Sequence, residues 1–140
     1  MSTPQAAPQP HPGYIYLASP YTTGDAMLRY QRVLDVCDVA ARLMQAGRVV
    51  FCPVAHGSAI ADATYPALDV VPHTWWMAQC LPLLTRATEL WVLQLDGWAT
   101  SQGVQQEIAW ARQLGIPIRL SREGTLWVPE DEKKKNDFLA

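Results

Sequence analysis

Apolar residues in this chain form two kinds of pattern, short continuous runs and longer segments in which they recur every three or four residues. The continuous runs predict strands at residues 14–19, 48–54, 89–95 and 116–120. The recurring pattern at residues 26–45 and 101–114 predicts helices with one buried face. Gly47 and Gly115 follow these two segments and predict their C-terminal ends.

The segment between the second and third predicted strands has a less regular pattern. Residues 55–74 include Pro66 and Pro72 and predict a long connection that holds one short helix. Residues 75–87 predict a further helix, which Pro82 would cause to start late or to kink. The connection is long for a small domain, and such connections are usually functional or mobile.

The order of these elements predicts the fold class. Strands that alternate with helices favour an α/β domain of the Rossmann or flavodoxin-like type, with four to five parallel strands and helices on both faces. We place this domain at residues 14–128. Residues 1–13, rich in Pro, Gln and Ala, predict a disordered leader, and residues 129–140 predict a charged tail. The apolar patch at 126–128 predicts an edge strand or a partner contact.

Composition excludes several classes of function. The 140 residues suffice for one domain with a core, and the net charge of -2 provides no basic surface for nucleic acid. No apolar run approaches the roughly 20 residues of a membrane span. The three cysteines lack the spacing of a zinc site, and their odd number without a signal peptide predicts a cytoplasmic protein.

In open parallel sheets, ligands bind at the carboxyl ends of the strands. Residues 19–21, 53–56 and 96–103 should meet there. The last segment leads into a helix with a single carboxylate, Glu107. The predicted buried stripe of this helix consists of Val104, Ile108, Ala111 and Leu114. Because Glu107 lies on the flank of that stripe, it is either a surface residue paired with Arg112 or a functional carboxylate.

Features around Glu107 favour the functional interpretation. Ser101 can cap the helix, and Gly103 allows a ligand to approach the backbone. A helix N-terminus attracts anions such as phosphate, and its positive end should help to keep Glu107 ionised. A carboxylate beside a phosphate site is suited to nucleophilic attack on a sugar C1.

Four features taken together resemble one enzyme superfamily. They are YIYLASPY at 14–21, a helix with Arg29 and Arg32, GRVVFCPVAH at 47–56 and LWVLQLDGWATSQGVQQEIAWARQLGIPI at 90–118, and they look like the nucleoside 2-deoxyribosyltransferase superfamily. The resemblance covers roughly Tyr14 to Leu120 and is nearest to a bacterial and phage branch. Ser101 resembles the 2′-deoxynucleoside 5′-phosphate N-hydrolases, since transferases usually carry Asp there.

The resemblance implies an activity and its partners. It implies hydrolysis of the N-glycosidic bond of a (deoxy)ribonucleoside 5′-monophosphate, without a metal or organic cofactor. Base exchange between deoxynucleosides and non-catalytic nucleotide binding, as in a sensor, are the alternatives. It also implies a homodimer or a higher oligomer, for which residues 126–128 offer a contact.

The resemblance also implies roles for individual residues. Glu107 falls on the nucleophile, and Tyr16 falls on the tyrosine that hydrogen-bonds it. Ser101 and Gly103 fall on the phosphate-binding turn, and Ser19 on a loop that faces the sugar phosphate. The alternatives are that Tyr16 is a core residue and that Ser19 only ends a strand.

One position departs from the family pattern. Cys80 stands where the superfamily usually has an Asp that acts as acid and base. A thiol with an ordinary pKa of about 8.5 does not exchange protons as a carboxyl group does. Asp96, at the end of the third strand, or Asp69, in the long connection, would have to take that role. Loss of hydrolysis is the other outcome.

Aromatic and histidine side chains are candidates for recognition of the base. His56 and His73 could contact the base or act as acids. Trp75, Trp76 and Trp98 could stack on it, although tryptophans more often belong to a core or an interface.

Overall fold

Four parallel strands form the sheet of this protein, in the order β2-β1-β3-β4. The computed structural model describes residues 13–121, so the predicted leader, the 126–128 patch and the charged tail lie outside the described residues. The strands are β1 (Ile15–Ala18), β2 (Val50–Phe51), β3 (Glu89–Leu93) and β4 (Ile118–Ser121). The predicted α/β class and parallel sheet are confirmed.

Helices cover both faces of this sheet, as predicted. They are α1 (Ala26–Gln45), α2 (Pro53–Ala63), α3 (His73–Thr85) and α4 (Gln102–Leu114), and a 3-10 turn spans Trp98–Thr100. Asp25 caps α1 by accepting hydrogen bonds from two backbone N–H groups of the first turn. Gly47 follows α1 with φ +87° and Gly115 ends α4 with φ +70°, so both predicted glycine ends are confirmed.

Successive residues of β1 point into two separate cores. Ile15 and Leu17 pack with the buried face of α1. Tyr16 and Ala18 pack with buried residues of α3 and α4 on the opposite face. β1 therefore presents Tyr16 to the face on which α4 lies, and its carboxyl end lies where the chain switches direction across the sheet.

The connection expected at residues 55–74 holds a helix, as predicted, but this helix starts earlier than expected and leaves less of the connection irregular. The eleven-residue helix α2 begins at Pro53, directly after β2. Pro53 shortens the predicted strand because its fixed φ suits the first turn of a helix, where its missing N–H costs nothing. Inside α2, a Cβ on Gly57 would lie 3.2 Å from the Trp76 ring, so this glycine allows α3 to approach.

The late start predicted for the next helix is also wrong. α3 begins at His73, after an extended Pro72, and continues past Pro82 to Thr85. Proline at this position deprives the carbonyl of Ala78 of its helical donor. Because Ala78 and Pro82 are both exposed, water can bind that carbonyl and the helix tolerates the proline.

Candidate active site

A buried hydrogen bond joins the central strand to α4. The hydroxyl of Tyr16 donates to Oε2 of Glu107. Tyr16 is fully buried and Glu107 is 5% exposed. A carboxylate is rarely buried unless it is paired or has a special role, so this contact is the centre of the candidate site.

The electrostatics of the pair follow from its burial. Burial raises the pKa of Glu107 to about 7, although the hydrogen bond from Tyr16 acts in the opposite direction. Burial and the neighbouring Glu107 both raise the pKa of Tyr16 far above its ordinary value. Tyr16 is therefore a neutral donor, and Glu107 changes its charge near neutral pH.

Three expectations about α4 are wrong. Glu107 is not a surface residue paired with Arg112, because its side chain faces β1. Glu107 is not kept fully ionised at neutral pH, because burial raises its pKa to about 7. Leu114 is 45% exposed and does not belong to the buried stripe.

The N-terminus of α4 is built as its sequence predicts. Oγ of Ser101 accepts a hydrogen bond from the backbone N–H of Val104 at 3.3 Å, so the predicted cap is confirmed. A Cβ on Gly103 would lie 3.6 Å from Cε1 of His73 and 3.8 Å from the sulfur of Met77. His73 and Met77 of α3 therefore lie close to this helix end.

Ser19 lies in the loop that follows β1, at the carboxyl edge of the sheet. It is 6% exposed, and its Oγ has no hydrogen-bond partner among residues 13–121. An unpartnered buried hydroxyl is costly in a finished core. This feature favours a loop whose hydroxyl serves a bound molecule over one that only ends a strand.

His56 and Trp98 both lie near the Tyr16 region. The exposed ring of His56 lies 5.5 Å from the ring of Phe51, which lies 5.6 Å from Tyr16. Half-buried Trp98 packs on the α3 and α4 face, in the turn before Ser101. The ring of Phe51 therefore contacts both His56 and Tyr16. Trp98 borders the N-terminus of α4.

Cys80 lies beside the central pair, on α3. Burial raises the pKa of its thiol, the nearby Tyr16 lowers it, and the charge of Glu107 raises it further. The two aspartates considered as substitutes lie elsewhere: Asp69 is exposed beyond α2, and Asp96 is exposed after β3. Among residues 13–121, the hydrogen bond to Asp96 runs from Arg32 to the backbone carbonyl oxygen of Asp96 and not to its carboxylate. The structure therefore brings Cys80, and neither aspartate, to Tyr16.

Trp75 and Trp76 form a pair at the start of α3. Their rings meet edge to face, with centroids 5.0 Å apart. Trp76 packs on Gly57 of α2, whereas Trp75 is 37% exposed. Trp76 therefore joins two helices, and Trp75 is the member that solvent or a ligand can reach.

Sequence reasoning gave no role to Arg32, which joins two loops at the carboxyl edge. This residue of α1 is 8% exposed, and its guanidinium donates to the carbonyl oxygens of Tyr21 and Thr22 at 3.3 Å and of Asp96 at 2.8 Å. Gly97, with φ +90°, leaves room for it, since a Cβ there would lie 2.9 Å from Nη2. The one signal in the sequence is a charge within the apolar stripe of α1.

We expect Arg32→Met to lower the free energy of unfolding by about 2 kcal/mol, because hydrogen bonds from a charged donor to three carbonyl groups are lost. Urea unfolding measures this. Arg42→Met is the matched control, since Arg42 forms an exposed ion pair with Asp38 on the same helix, for which about 0.5 kcal/mol or less is expected. Equal losses in both variants would contradict the role given to Arg32.

Among residues 13–121, no three His, Cys, Asp or Glu side chains are grouped so that they could hold a metal ion. In the same range, none of the helices combines the length and the apolar character that a membrane span requires.

Comparisons with known proteins address the family and the fold. A family model described as "Domain of unknown function (DUF1937)" matches residues 13–123. No curated protein matches the chain. Among solved structures, a 2-deoxyribosyltransferase from the psychrotolerant bacterium Bacillus psychrosaccharolyticus is similar, with a TM-score of 0.52 and 21% identity, covering 87% of this chain and 81% of that chain. This likeness confirms the predicted α/β fold.

Proposed function

This chain belongs to the family described as Domain of unknown function (DUF1937), and we propose that it is an enzyme of glycosyl transfer from nucleosides or nucleotides. More specifically, we propose that it hydrolyses the N-glycosidic bond of a (deoxy)ribonucleoside 5′-monophosphate. The similar solved structure is that of a 2-deoxyribosyltransferase, which supports the general class of reaction.

The single observation that carries this proposal is the buried bond between Tyr16 and Glu107. A carboxyl group with a pKa of about 7 supplies both nucleophilic carboxylate and its conjugate acid at neutral pH. Tyr16, which stays neutral, fixes one oxygen of this group. The other oxygen is then the one that attacks a substrate.

The proposed reaction has two steps. The carboxylate of Glu107 attacks C1′, the bond from C1′ to the base nitrogen breaks, and the base leaves with the electron pair and takes up a proton. Water then attacks C1′ of the glycosyl ester, loses a proton and releases the carboxylate. The products are the free base and the sugar phosphate, and the steps need no metal or organic cofactor.

Features of the carboxyl edge support a phosphorylated substrate. Ser101 and Gly103 lie at the positive end of α4, where backbone N–H groups favour an anion. The unpartnered hydroxyl of Ser19 adds a donor at the same edge of the sheet. We propose that these three residues hold the 5′-phosphate, and that Trp98 and His56 border the sugar or the base. Base exchange with a second nucleobase is the related alternative.

Cys80 favours a second candidate, a nucleotide-binding protein without turnover. The superfamily resemblance implies an acid–base carboxyl group at this position, and a thiol with a raised pKa replaces it beside Tyr16. Without that carboxyl group, Asp96 would have to act from its exposed position after β3. A sensor that binds nucleotides would need neither group.

Incubation with a panel of nucleosides and nucleoside monophosphates tests the proposal, with free base measured by HPLC and binding measured by calorimetry. We expect free base from at least one monophosphate, and more from it than from its nucleoside. Release only when a second base is supplied would indicate the transferase. Binding without release would indicate the sensor, and neither binding nor release would overturn the proposed function.

A further inference from the structure

Glu107 is a buried carboxyl group without a cationic partner in the described part of the chain. It is 5% exposed, and the hydrogen bond that it receives comes from the neutral hydroxyl of Tyr16. Among residues 13–121, the ion pairs join arginines to Asp38 or Glu89, and none includes Glu107. Buried carboxylates are normally paired with a positive charge, since an unpaired charge is costly away from water. A bound molecule with a positive charge would supply this partner.

The side chains that surround Glu107 are neutral. On α4 it lies between the buried apolar residues Val104 and Ile108. Cys80 of α3 adds a thiol that interacts with both Tyr16 and Glu107, and burial raises the pKa of this thiol. The pKa of Tyr16 is raised as well. Both groups therefore hold their protons at neutral pH, and the carboxylate of Glu107 supplies the charge of this region.

Release of an uncharged base from C1′ requires a proton, because the electron pair of the broken bond otherwise leaves a negative charge on the base nitrogen. The hydroxyl of Tyr16 already donates its hydrogen bond to Glu107. The thiol of Cys80 is a weak donor whose pKa is raised further by burial. Neither group is therefore suited to protonate a leaving base.

The two histidines in the described part of the chain do not take this role either. His56 is exposed, in the first turn of α2. His73 is exposed at the start of α3, about 10 Å along the helix axis from Cys80. Burial and Tyr16 account for the shifted pKa of Glu107, and neither histidine adds to their effect. Neither ring is therefore in place to protonate a base that leaves beside Glu107.

A base that carries a positive charge removes the need for a proton. In a pyridinium or an N7-alkylated purine, the electron pair of the broken C1′–N bond neutralises the charge of the ring, and the base leaves uncharged. The carboxylate of Glu107 forms the new bond to C1′. Water then attacks C1′, releases the carboxylate and gives its proton to the solvent. Because a negative and a positive charge both disappear in the first step, a site of low dielectric constant favours this step over one that leaves an anion.

We propose that the substrates of this protein are nucleotides with a cationic base, whose positive charge pairs with the carboxylate of Glu107. This inference rests on the proposed function, since it assigns the base at the same glycosidic bond. Two observations carry it, a buried carboxyl group without a cationic partner among residues 13–121 and a thiol at Cys80 that is a poor proton donor.

Two matched pairs of monophosphates test the class of base, with released base measured by HPLC and compared with the rate in the absence of protein. Nicotinamide mononucleotide is paired with its reduced form, whose ring is uncharged, and 7-methylguanosine 5′-monophosphate with guanosine 5′-monophosphate, in ribose and 2′-deoxyribose forms. We expect the acceleration over the uncatalysed rate to be at least about a hundredfold greater for the charged members. Equal accelerations would overturn the inference and leave the proposed function intact, whereas no release from any member would overturn both.

Cys80→Asp tests the part played by the thiol. We expect this variant to accelerate release from the uncharged members at least about tenfold more than wild type does, because an aspartic acid can protonate the leaving nitrogen, with no such gain for the charged members. Cys80→Ser is the matched control, since it keeps a small uncharged group and should keep the preference for a charged base. Thermal unfolding checks that both variants are folded. A folded Cys80→Asp with the preference of wild type would overturn the role given to the thiol.

Binding of free rings tests the charge pair without turnover. Calorimetry at about pH 8, where Glu107 is ionised, compares the cation N1-methylnicotinamide with uncharged nicotinamide. We expect wild type to bind the cation at least about tenfold more tightly, and Glu107→Gln to bind both rings equally. Failure of the cation to bind, equal affinities in wild type, or an unchanged preference in Glu107→Gln would overturn the charge pair.

Discussion

Glu107→Gln is expected to abolish the release of free base, with a loss of at least about a thousandfold in kcat. An amide has nearly the shape of the carboxyl group and can still accept the hydrogen bond from Tyr16. It cannot form the glycosyl ester, because the neutral amide oxygen is a poor nucleophile. The HPLC assay measures this loss on the monophosphate that wild type cleaves.

The same substitution should change how stability depends on pH. The pKa of Glu107 is raised from 4.5 to about 7 in the folded chain, so the native state binds more protons than the unfolded state between these values. The stabilising contribution of Glu107 is therefore complete below about pH 4.5 and is lost as the pH rises through about 7. Wild type should lose about 2–3 kcal/mol over that window relative to Glu107→Gln.

Urea unfolding of both proteins at about pH 5 and about pH 8 measures this difference. Glu107→Asp is the control, because it keeps a titrating carboxyl group on a side chain that is shorter by one methylene. Much of the pH dependence of stability should remain in this variant, while turnover falls. Parallel pH dependence of wild type and Glu107→Gln would contradict the burial effect. Full activity in Glu107→Gln would show that Glu107 is not the nucleophile.

Tyr16→Phe is expected to lower base release about tenfold to a hundredfold at neutral pH and to move its pH dependence upward. In wild type, activity should rise through about pH 7 as Glu107 ionises, and level off above it. The hydrogen bond from Tyr16 lowers the pKa of Glu107, so its loss raises that pKa. The rising limb of kcat/KM should therefore shift to higher pH, with partial recovery of activity in alkaline buffer.

Tyr14→Phe is the matched control for this prediction. Tyr14 lies two residues before Tyr16, and its hydroxyl donates to the carbonyl oxygen of Leu83. The substitution Tyr14→Phe therefore removes a tyrosine hydrogen bond that does not involve Glu107. We expect its pH profile to coincide with that of wild type. If both variants shift equally, the effect belongs to general packing; if neither shifts, Tyr16 does not set the pKa of Glu107.

Local signals in the sequence predicted much of the fold. Ser101, Gly47 and Gly115 mark helix ends through side-chain and backbone chemistry that acts within a few residues. β3 was predictable because its apolar run is buried on both faces. Pro53 was misinterpreted, since a proline after an apolar run ends a strand and also begins a helix.

The candidate site was less accessible to sequence reasoning because its properties arise between distant residues. The pairing of Tyr16 with Glu107 was expected only from the superfamily resemblance, since the two lie 91 positions apart. The pKa of Glu107 depends on how completely α4 packs on β1, which no local pattern encodes. The hydrogen bonds from Arg32 join two loops from different parts of the chain, which no local pattern in the sequence encodes.

The position of Tyr16 in the sheet also bears on hydrogen exchange. β1 is flanked by β2 on one side and β3 on the other, and all four of its residues are buried. Backbone amides in such a strand exchange with deuterium only through the largest openings of a protein, whereas loop amides exchange through small local ones. The tyrosine should therefore belong to the slowest-exchanging unit of the domain, so the residue that anchors the carboxylate of Glu107 stays in place while less protected parts of the domain open.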